Sequence, residues 1–425
     1  MSQDLVNLKC ECEIRIQTMK CLVVSAYYPL SRSDFAGSFV RDEACELVKN
    51  GVTVHVGRWS HISQGIPAKT RVIDRVFVHD VRFKLADFLF SLPDFFELPR
   101  PRLSRLKETG IMLSYSRGVE KLVRRHDVDL IHAHFAYPEG LVGLIAKKRT
   151  GRPLLVTLHG YDILVEPTVN YGCRLDPEID RVVGKVLREA DGVIAASSAT
   201  YNAALELGCS PAKLSLIPNA VDFRRFDLKV DKLRARKKLG LESDPIVFTL
   251  RAHEPQKGVE YLIRAIPLVL AEVPDAVFVI GGDGSLRRYH QSLADELGVS
   301  ANVIFTGKIP DVELPYFYLA CDVFVIPSLV EAFGLVTIEA MACGKPVIGT
   351  NVGGIPDTII EGLTGFLVSP RDPSGLSEKI VLLLKSCQLR GEMGRAGKET
   401  VNRRFNMEER IKRIVRLYES LKRDE

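Results

Sequence analysis

The stretch CDVFVIPSLVEAFGLVTIEAMACGKPVIGTNVGGIPD, Cys321 to Asp357, decides the fold. Val323 to Ile326 is a short unbroken apolar run and reads as a buried strand. A tight loop follows, then a helix from about Gly334 to Cys343 that Gly344 stops, then a second strand from Pro346 to Thr350. Glu331 falls in the loop and Glu339 within the helix, eight positions on. A helix start offers unpaired backbone N–H groups and the positive end of the helix dipole, which suits a phosphate. Carboxylates beside that phosphate are repelled unless they have donors to hold, and sugar or ribose hydroxyls are such donors. The stretch therefore reads as a site for a ligand that carries both phosphate and sugar.

The same unit recurs outward on both sides. Upstream, PIVFTLRAHEPQKGVEYLIRAI is an apolar strand ending at Leu250, a polar loop with Arg251 and Lys257, and a helix opened by Gly258. VFVIGGDGSLRRY is strand, glycine turn and helix, but Gly281, Gly282 and Gly284 do not form the dinucleotide pattern G-x-G-x-x-G. VIFTGKI, through Lys308 and Ile309, is the next strand. Downstream come GFLV and helices over Leu376–Ser386 and Leu389–Arg403. A last segment, NMEERIKRIVRLYESLKR, spaces its apolar residues as a helix does. The first half opens with the strand KCLVVSAY (Lys20–Tyr27), a loop containing Gly37, an amphipathic helix that stops at Asn50-Gly51, and a strand over Thr53–Val56. It resumes with VDLIHAHFA, a helix over Pro138–Lys148, PLLVTLHGYDI, a helix to Ala190, GVIAAS, a helix to Leu207 and LSLIPNAVD. Two regions of alternating strand and helix predict an α/β protein with two Rossmann-like parallel-sheet domains facing a central cleft, the ligand lying at the carboxyl ends of the strands.

Bulk properties exclude several classes. The chain has 425 residues, 46% hydrophobic and 26% charged, an ordinary globular composition with room for two or three cores. A net charge of +5 without a compact basic tract does not point to nucleic acid. Nine scattered cysteines suit a reducing compartment, and Cys10, Cys12 and Cys21 lack a fourth ligand for zinc. The N-terminus is too charged for a signal peptide and no apolar run is long enough to span a membrane, so the expected location is cytoplasmic, at most peripheral at the inner membrane surface. His132 and His134 share one face of a strand end, with no third metal ligand in sight. Residues 82–125 break the alternation, mixing ten Lys or Arg and five Asp or Glu with many aromatics. The favoured reading there is a helical insert with Phe and Leu facing the core. A contact with an anionic membrane surface or a lipid-linked acceptor is the alternative.

The segment E-A-F-G-L-V-T-I-E resembles the E-x7-E signature of retaining glycosyltransferases of the large GT-B family 4. The resemblance covers most of the chain and implies a division into a polar lead-in (1–18), an acceptor domain (19–222), a nucleotide-sugar domain (223–405) and a terminal helix (406–425) crossing back to the first domain. It implies that Arg251 and Lys257 hold a donor diphosphate, helped by the N–H groups of Phe333, Gly334 and Leu335. Glu331 would then hold sugar hydroxyls and Glu339 the ribose. T-L-H-G-Y-D places His159 at the transferred sugar from the opposite domain, with His134 on the acceptor side. Gly37 and Gly282 would give close backbone approach, and Lys308 and Ile309 would line the base. Three positions depart from the family pattern: Ala36 stands where a glycine usually precedes Gly37, Leu250 where one precedes the arginine, and Ala220 where one follows the asparagine of IPNAVD.

The implied activity is transfer of a sugar from a nucleotide-diphosphate sugar to a hydroxyl acceptor, with retention and without a cofactor. No D-x-D lies in a suitable loop, so no metal is expected. The implied role is exopolysaccharide, lipid-linked glycan or related glycoconjugate synthesis. The rival readings are a sugar-nucleotide epimerase of the same shape, a phosphorylase-type enzyme and a non-catalytic sugar-nucleotide-binding protein. The presence of both cations and both carboxylates together argues against the last.

Overall fold

Fully buried parallel strands read as continuous apolar runs, because both of their faces are covered by helices. β1 (Lys20–Val24) shows this directly: Leu22 and Val24 enter one core cluster, and Cys21 and Val23 the cluster on the other face. The structure, a computed structural model, describes residues 19–31, 37–59, 70–81, 100–241 and 245–423, and of 100–109 and 423 the backbone alone. The expected polar lead-in and residues 82–99 of the expected insert lie outside the described residues.

The first sheet contains β1, β2 (Thr53–Trp59), β3 (Thr70–Ile73), β4 (Val76–Val81), β5 (Leu130–His134), β6 (Leu154–Thr157), β7 (Gly192–Ala195) and β8 (Leu214–Leu216), in the order β3-β4-β2-β1-β5-β6-β7-β8. All neighbours are parallel except the hairpin β3–β4, which the sequence did not reveal. The second sheet contains β9 (Ile246–Leu250), β10 (Val277–Gly281), β11 (Val303–Gly307), β12 (Val323–Ile326), β13 (Val347–Thr350) and β14 (Gly365–Val368), in the all-parallel order β11-β10-β9-β12-β13-β14. Each order reverses once, between β1 and β5 and between β9 and β12, which is where an open α/β sheet leaves a crevice for a ligand. Loops from the carboxyl ends of the two sheets meet. The Ser198 backbone N–H and hydroxyl both donate to Asp357, at 2.6 and 2.9 Å. This is the GT-B arrangement.

Two helices deserve notice for what they cover. The helix Arg100–His126 turns Tyr115, Val119 and Val123 into the first core, and Tyr115 donates to the carbonyl of Gly57 at 2.7 Å. The Phe of the expected insert lie outside the described residues; of its Leu, Leu122 packs against this core and Leu113 is exposed. The terminal helix Met407–Arg423 follows the second domain in sequence yet packs on the first. Ile411, Ile414 and Tyr418 are fully buried in the cluster that holds Cys21, Val23 and Leu130. Among the described residues, no helix is long and apolar enough to cross a membrane.

Since Ile414 belongs to the first domain's core, Ile414→Ala is expected to lower stability by about 2–5 kcal/mol. Denaturant unfolding followed by domain-specific probes should show the loss in the first domain.

Candidate active site

The two strands at the second sheet's reversal launch the two loops that matter. β9 ends at Leu250 and hands on to Arg251; β12 ends at Ile326 and leads through Ser328 to Glu331. Because β9 and β12 are neighbours, residues eighty apart in sequence arrive side by side. One oxygen of Glu331 accepts from both Arg251 and Lys257, the latter at 3.0 Å. Arg251 also donates to the Ser328 hydroxyl at 2.8 Å. The side chains are only 5% exposed for Arg251, 13% for Glu331 and 21% for Lys257, so this is a buried ion cluster rather than a surface pair.

Burial pushes the Glu331 carboxyl up, but Lys257 and Arg251 overcome it and hold it at about 2. Lys257 is lowered, mainly by burial and also by the like charge of Arg251, with Glu331 working the other way.

Glycines bring the loops this close. At Gly282 (φ +113°) a Cβ would lie 1.9 Å from the carbonyl oxygen of Arg251, so the glycine turn after β10 sits directly beneath the arginine. Gly282 thus reads as a support of Arg251. Arg251 keeps its own N–H bonded to the carbonyl of Gly281 at 2.9 Å, so Leu250 in place of glycine leaves this backbone path in order. The Lys257 loop is tied to the Glu331 loop by Leu329 N–H donating to the carbonyl of Gln256 at 2.9 Å.

The helix after Glu331 runs Leu335–Ala342, with Gly334 in the left-handed region before it and no side chain capping it. Phe333 is 2% exposed, so only its backbone can serve a ligand. Glu339, one turn in, accepts from the Tyr318 hydroxyl at 2.7 Å, and burial raises its pKa against the effect of Tyr318 and Arg225. Just past β11 the Ile309 side chain is 3% exposed and packs into the second domain's core, while Lys308 beside it is exposed, so at Ile309 the backbone alone is left to face a base. One expectation needs correction. His134 is 1% exposed and does not line an acceptor surface. It lies behind His159, because alternation along β5 turns it under the helix Ser38–Lys49 and the terminal helix.

His159 stands on the first domain's side of the meeting point. Its loop is fixed by Asp162, which accepts from the N–H groups of His159, Gly160 and Ala136 at 3.0, 2.9 and 2.7 Å. At Gly160 (φ +116°) a Cβ would lie 2.5 Å from the Ala332 Cβ, so this loop rests against the residue after Glu331. Gly37 (φ +78°) precedes the helix Ser38–Lys49, and a Cβ there would collide with the carbonyl oxygen of Tyr27 at 1.7 Å. Its freedom serves the turn after β1.

The sequence reading missed Ser328, Tyr318, Asp162, Glu43 and Arg410. Glu43 had a signal: it falls in the inward stripe of Val40, Ala44 and Leu47 at helical spacing. Glu43 also supplies the third potential ligand beside His132 and His134. Both nitrogens of His132 are engaged by Tyr418 and Thr157, however, and Arg410 already neutralises the carboxylate, so the donor set does not favour a cation. A second group, His55, His79 and His126, brings three imidazoles together: two rings are hydrogen-bonded at 3.0 Å, and His126 stacks on His55 and leans on His79.

Known proteins share this framework. Residues 36–225 match the family model described as Glycosyltransferase Family 4, and residues 231–400 the one described as Glycosyl transferases group 1. The chain is 28% identical over 384 residues to N-acetyl-alpha-D-glucosaminyl L-malate synthase of Bacillus anthracis, covering 89% of this chain and 92% of that one. It is 31% identical over 288 residues to the GDP-mannose-dependent alpha-(1-6)-phosphatidylinositol monomannoside mannosyltransferase of Mycolicibacterium smegmatis, covering 66% and 73%. Sucrose-phosphate synthase of Thermosynechococcus elongatus superposes with a TM-score of 0.78 at 25% identity, covering 96% of this chain and 100% of that one. An Anabaena protein solved with UDP and glucose shares the fold, with a TM-score of 0.72 at 24% identity over 95% and 100%.

Glu331 titrates at about 2 instead of its ordinary 4.5, so it favours the folded state above the unfolded-chain value. That contribution fades as pH falls from 4.5 through about 2. The stability gap between the parent and Glu331→Gln should therefore be constant above about pH 5.5 and narrow steadily in acid, as read by chemical denaturation across pH.

Proposed function

The chain belongs to glycosyltransferase family 4, and from that premise we propose that it moves a hexosyl group from a nucleotide-diphosphate sugar to a hydroxyl acceptor with retention of anomeric configuration. The observation that carries this reading is the convergence of Arg251 and Lys257 on a single buried oxygen of Glu331. Two cations fixed at one point suit a diphosphate, whose charge grows as the glycosidic bond breaks; Arg can meet it with two parallel N–H groups and Lys with a point charge. Arg251 Nε is buried and has no hydrogen-bond partner among the described residues, so the guanidinium has donor capacity to spare.

The roles follow from charge. The diphosphate, the stronger anion, displaces the Glu331 carboxylate from the cations, and the freed carboxylate then takes sugar hydroxyls. The backbone at Phe333, Gly334 and Leu335 adds N–H groups at the helix mouth. Glu339 exchanges Tyr318 for the ribose, and His159 meets the sugar from the other domain. Retention fits a front-face departure in which the diphosphate itself helps deprotonate the acceptor, so no protein base is assigned. The cations do the work that a divalent metal does elsewhere. The Asp127-Val128-Asp129 triplet lies at the amino end of β5, where Asp129 is taken up by the Lys20 N–H and Lys422. The mannosyltransferase relative is named for a GDP-sugar, which fits the diphosphate class. An acceptor of exopolysaccharide or lipid-linked type, met by a cytoplasmic enzyme at the inner membrane surface, is the class that the HAHFA and TLHGYDI segments resemble.

Lys257→Ala is expected to cut transfer by roughly 10²–10³-fold with the fold intact by circular dichroism. Near-parent activity would remove Lys257 from the mechanism. Glu331→Gln should separate binding from turnover: free nucleoside diphosphates bind more tightly, because their rival anion is gone, while transfer from the sugar nucleotide is lost. Thermal shifts against a panel of nucleoside diphosphates and their sugars read both effects and identify the base.

A further inference from the structure

Behind His159 the first domain holds a line of buried polar groups that the transfer chemistry leaves unused. His134 Nδ1 lies 3.0 Å from His159 Nε2, with ring planes within 15° of each other, so the two imidazoles share a nearly coplanar N–H···N bond. The other nitrogen of His134, Nε2, lies 3.4 Å from Glu43 Oε1. Glu43 Oε2 accepts from Arg410 at 2.7 Å. Arg410 donates in turn to the carbonyls of Ile217 and Pro218, at 2.8 and 2.7 Å. Four elements supply this line: the helix Ser38–Lys49, β5, the loop after β6 and the terminal helix. The remaining titratable neighbours are occupied: His132 by Tyr418 and Thr157, and the Cys21 thiol by Tyr418.

Glu43 gives the line its direction. Burial works to raise its pKa, but Arg410, His134 and His132 hold it at about 2, so the group is a carboxylate. Its Oε1 is buried without a hydrogen bond. A lone pair on His134 Nε2 facing that anion in a low-dielectric interior would be repulsive, so the proton sits on Nε2. A neutral imidazole carries one N–H, so His134 Nδ1 is then an acceptor and His159 Nε2 is the donor to it. The free lone pair of His159 is left on Nδ1, and no described residue hydrogen-bonds that atom. His159 stays neutral, because burial and the imidazole of His134 depress its pKa well below the usual range.

We propose that Glu43 and His134 are positioning residues that lock His159 in its Nε2–H tautomer, so that Nδ1 accepts a hydrogen bond from a substrate hydroxyl. Without the carboxylate the chain of donors can run the other way. His159 then offers an N–H where the hydroxyl needs an acceptor. The carboxylate does for this imidazole what the aspartate of a serine protease triad does for its histidine, by fixing which nitrogen carries the proton. The inference rests on the reading of His159 as the sugar-facing residue of the first domain.

The test is long-range ¹H–¹⁵N correlation on the ligand-free protein labelled at its nine histidines, with His159→Gln assigning the signal. The parent should show His159 as one tautomer, protonated at Nε2. In Glu43→Gln, whose amide can present an N–H to His134, the tautomer should reverse or mix. There kcat/KM for transfer should fall roughly 10- to 100-fold, while the thermal shift given by a nucleoside diphosphate stays as in the parent. His134→Asn, which keeps an acceptor near the place of Nδ1, should retain more turnover than His134→Ala. The His134 pair carries the test if Glu43→Gln does not fold, since it leaves the Glu43–Arg410 contact intact. A parent His159 protonated at Nδ1, a Glu43→Gln variant unchanged in both tautomer and transfer, or equal turnover in the two His134 variants overturns the proposal. Absence of any nucleotide shift or transfer in the parent instead overturns the proposed function and leaves the tautomer result standing.

Discussion

A carboxylate held between two cations and largely buried with them is the constraint on which the second domain is organised. Isolated, any one of Glu331, Arg251 and Lys257 would be costly at this depth, and removing a partner from such a cluster leaves an uncompensated charge. The surrounding backbone serves to keep the three together. β9 and β12 are neighbours at the reversal of the sheet, glycines let the loops pass within contact distance of one another, and Gly354 N–H donates to the carbonyl of Glu331 at 2.9 Å. The cluster thus holds two fixed cations whose shared anion belongs to the protein.

The first domain meets this charged corner with a different kind of surface. His159 packs against Phe39 and Phe135, each with ring centroids 4.6 Å away, and is backed by another imidazole. Among the described residues, no cation of the first domain enters the cluster around Glu331. The division is electrostatically sensible: fixed charge lies on one lobe, and neutral groups able to meet hydroxyls lie on the other. Gly160 resting against Ala332 brings these unlike surfaces together with nothing larger between them.

Much of this was legible in the chain. Runs such as CLVV and VFVI announce strands covered on both faces, and the eight-residue spacing of Glu331 and Glu339 marks the loop and helix they occupy. What escaped did so for physical reasons. Glu43 and Arg410 are 367 residues apart, and no local pattern records a pairing made only in the folded state. Both interrupt apolar stripes of their helices, which is the trace they leave. The β3–β4 hairpin is short and half-exposed, so its apolar pattern is weak.

The terminal helix has a consequence for how the molecule is made. The face of the first sheet that carries Cys21, Val23 and Leu130 is covered in part by the helix Ser38–Lys49 and in part by a segment the ribosome delivers after the whole second domain. At roughly 5–20 residues per second, the nascent lobe waits on the order of tens of seconds with the terminal helix's share of that apolar face unsealed. Its biogenesis is therefore a post-translational closure rather than a vectorial one, and chaperone dependence should track the arrival of this last helix.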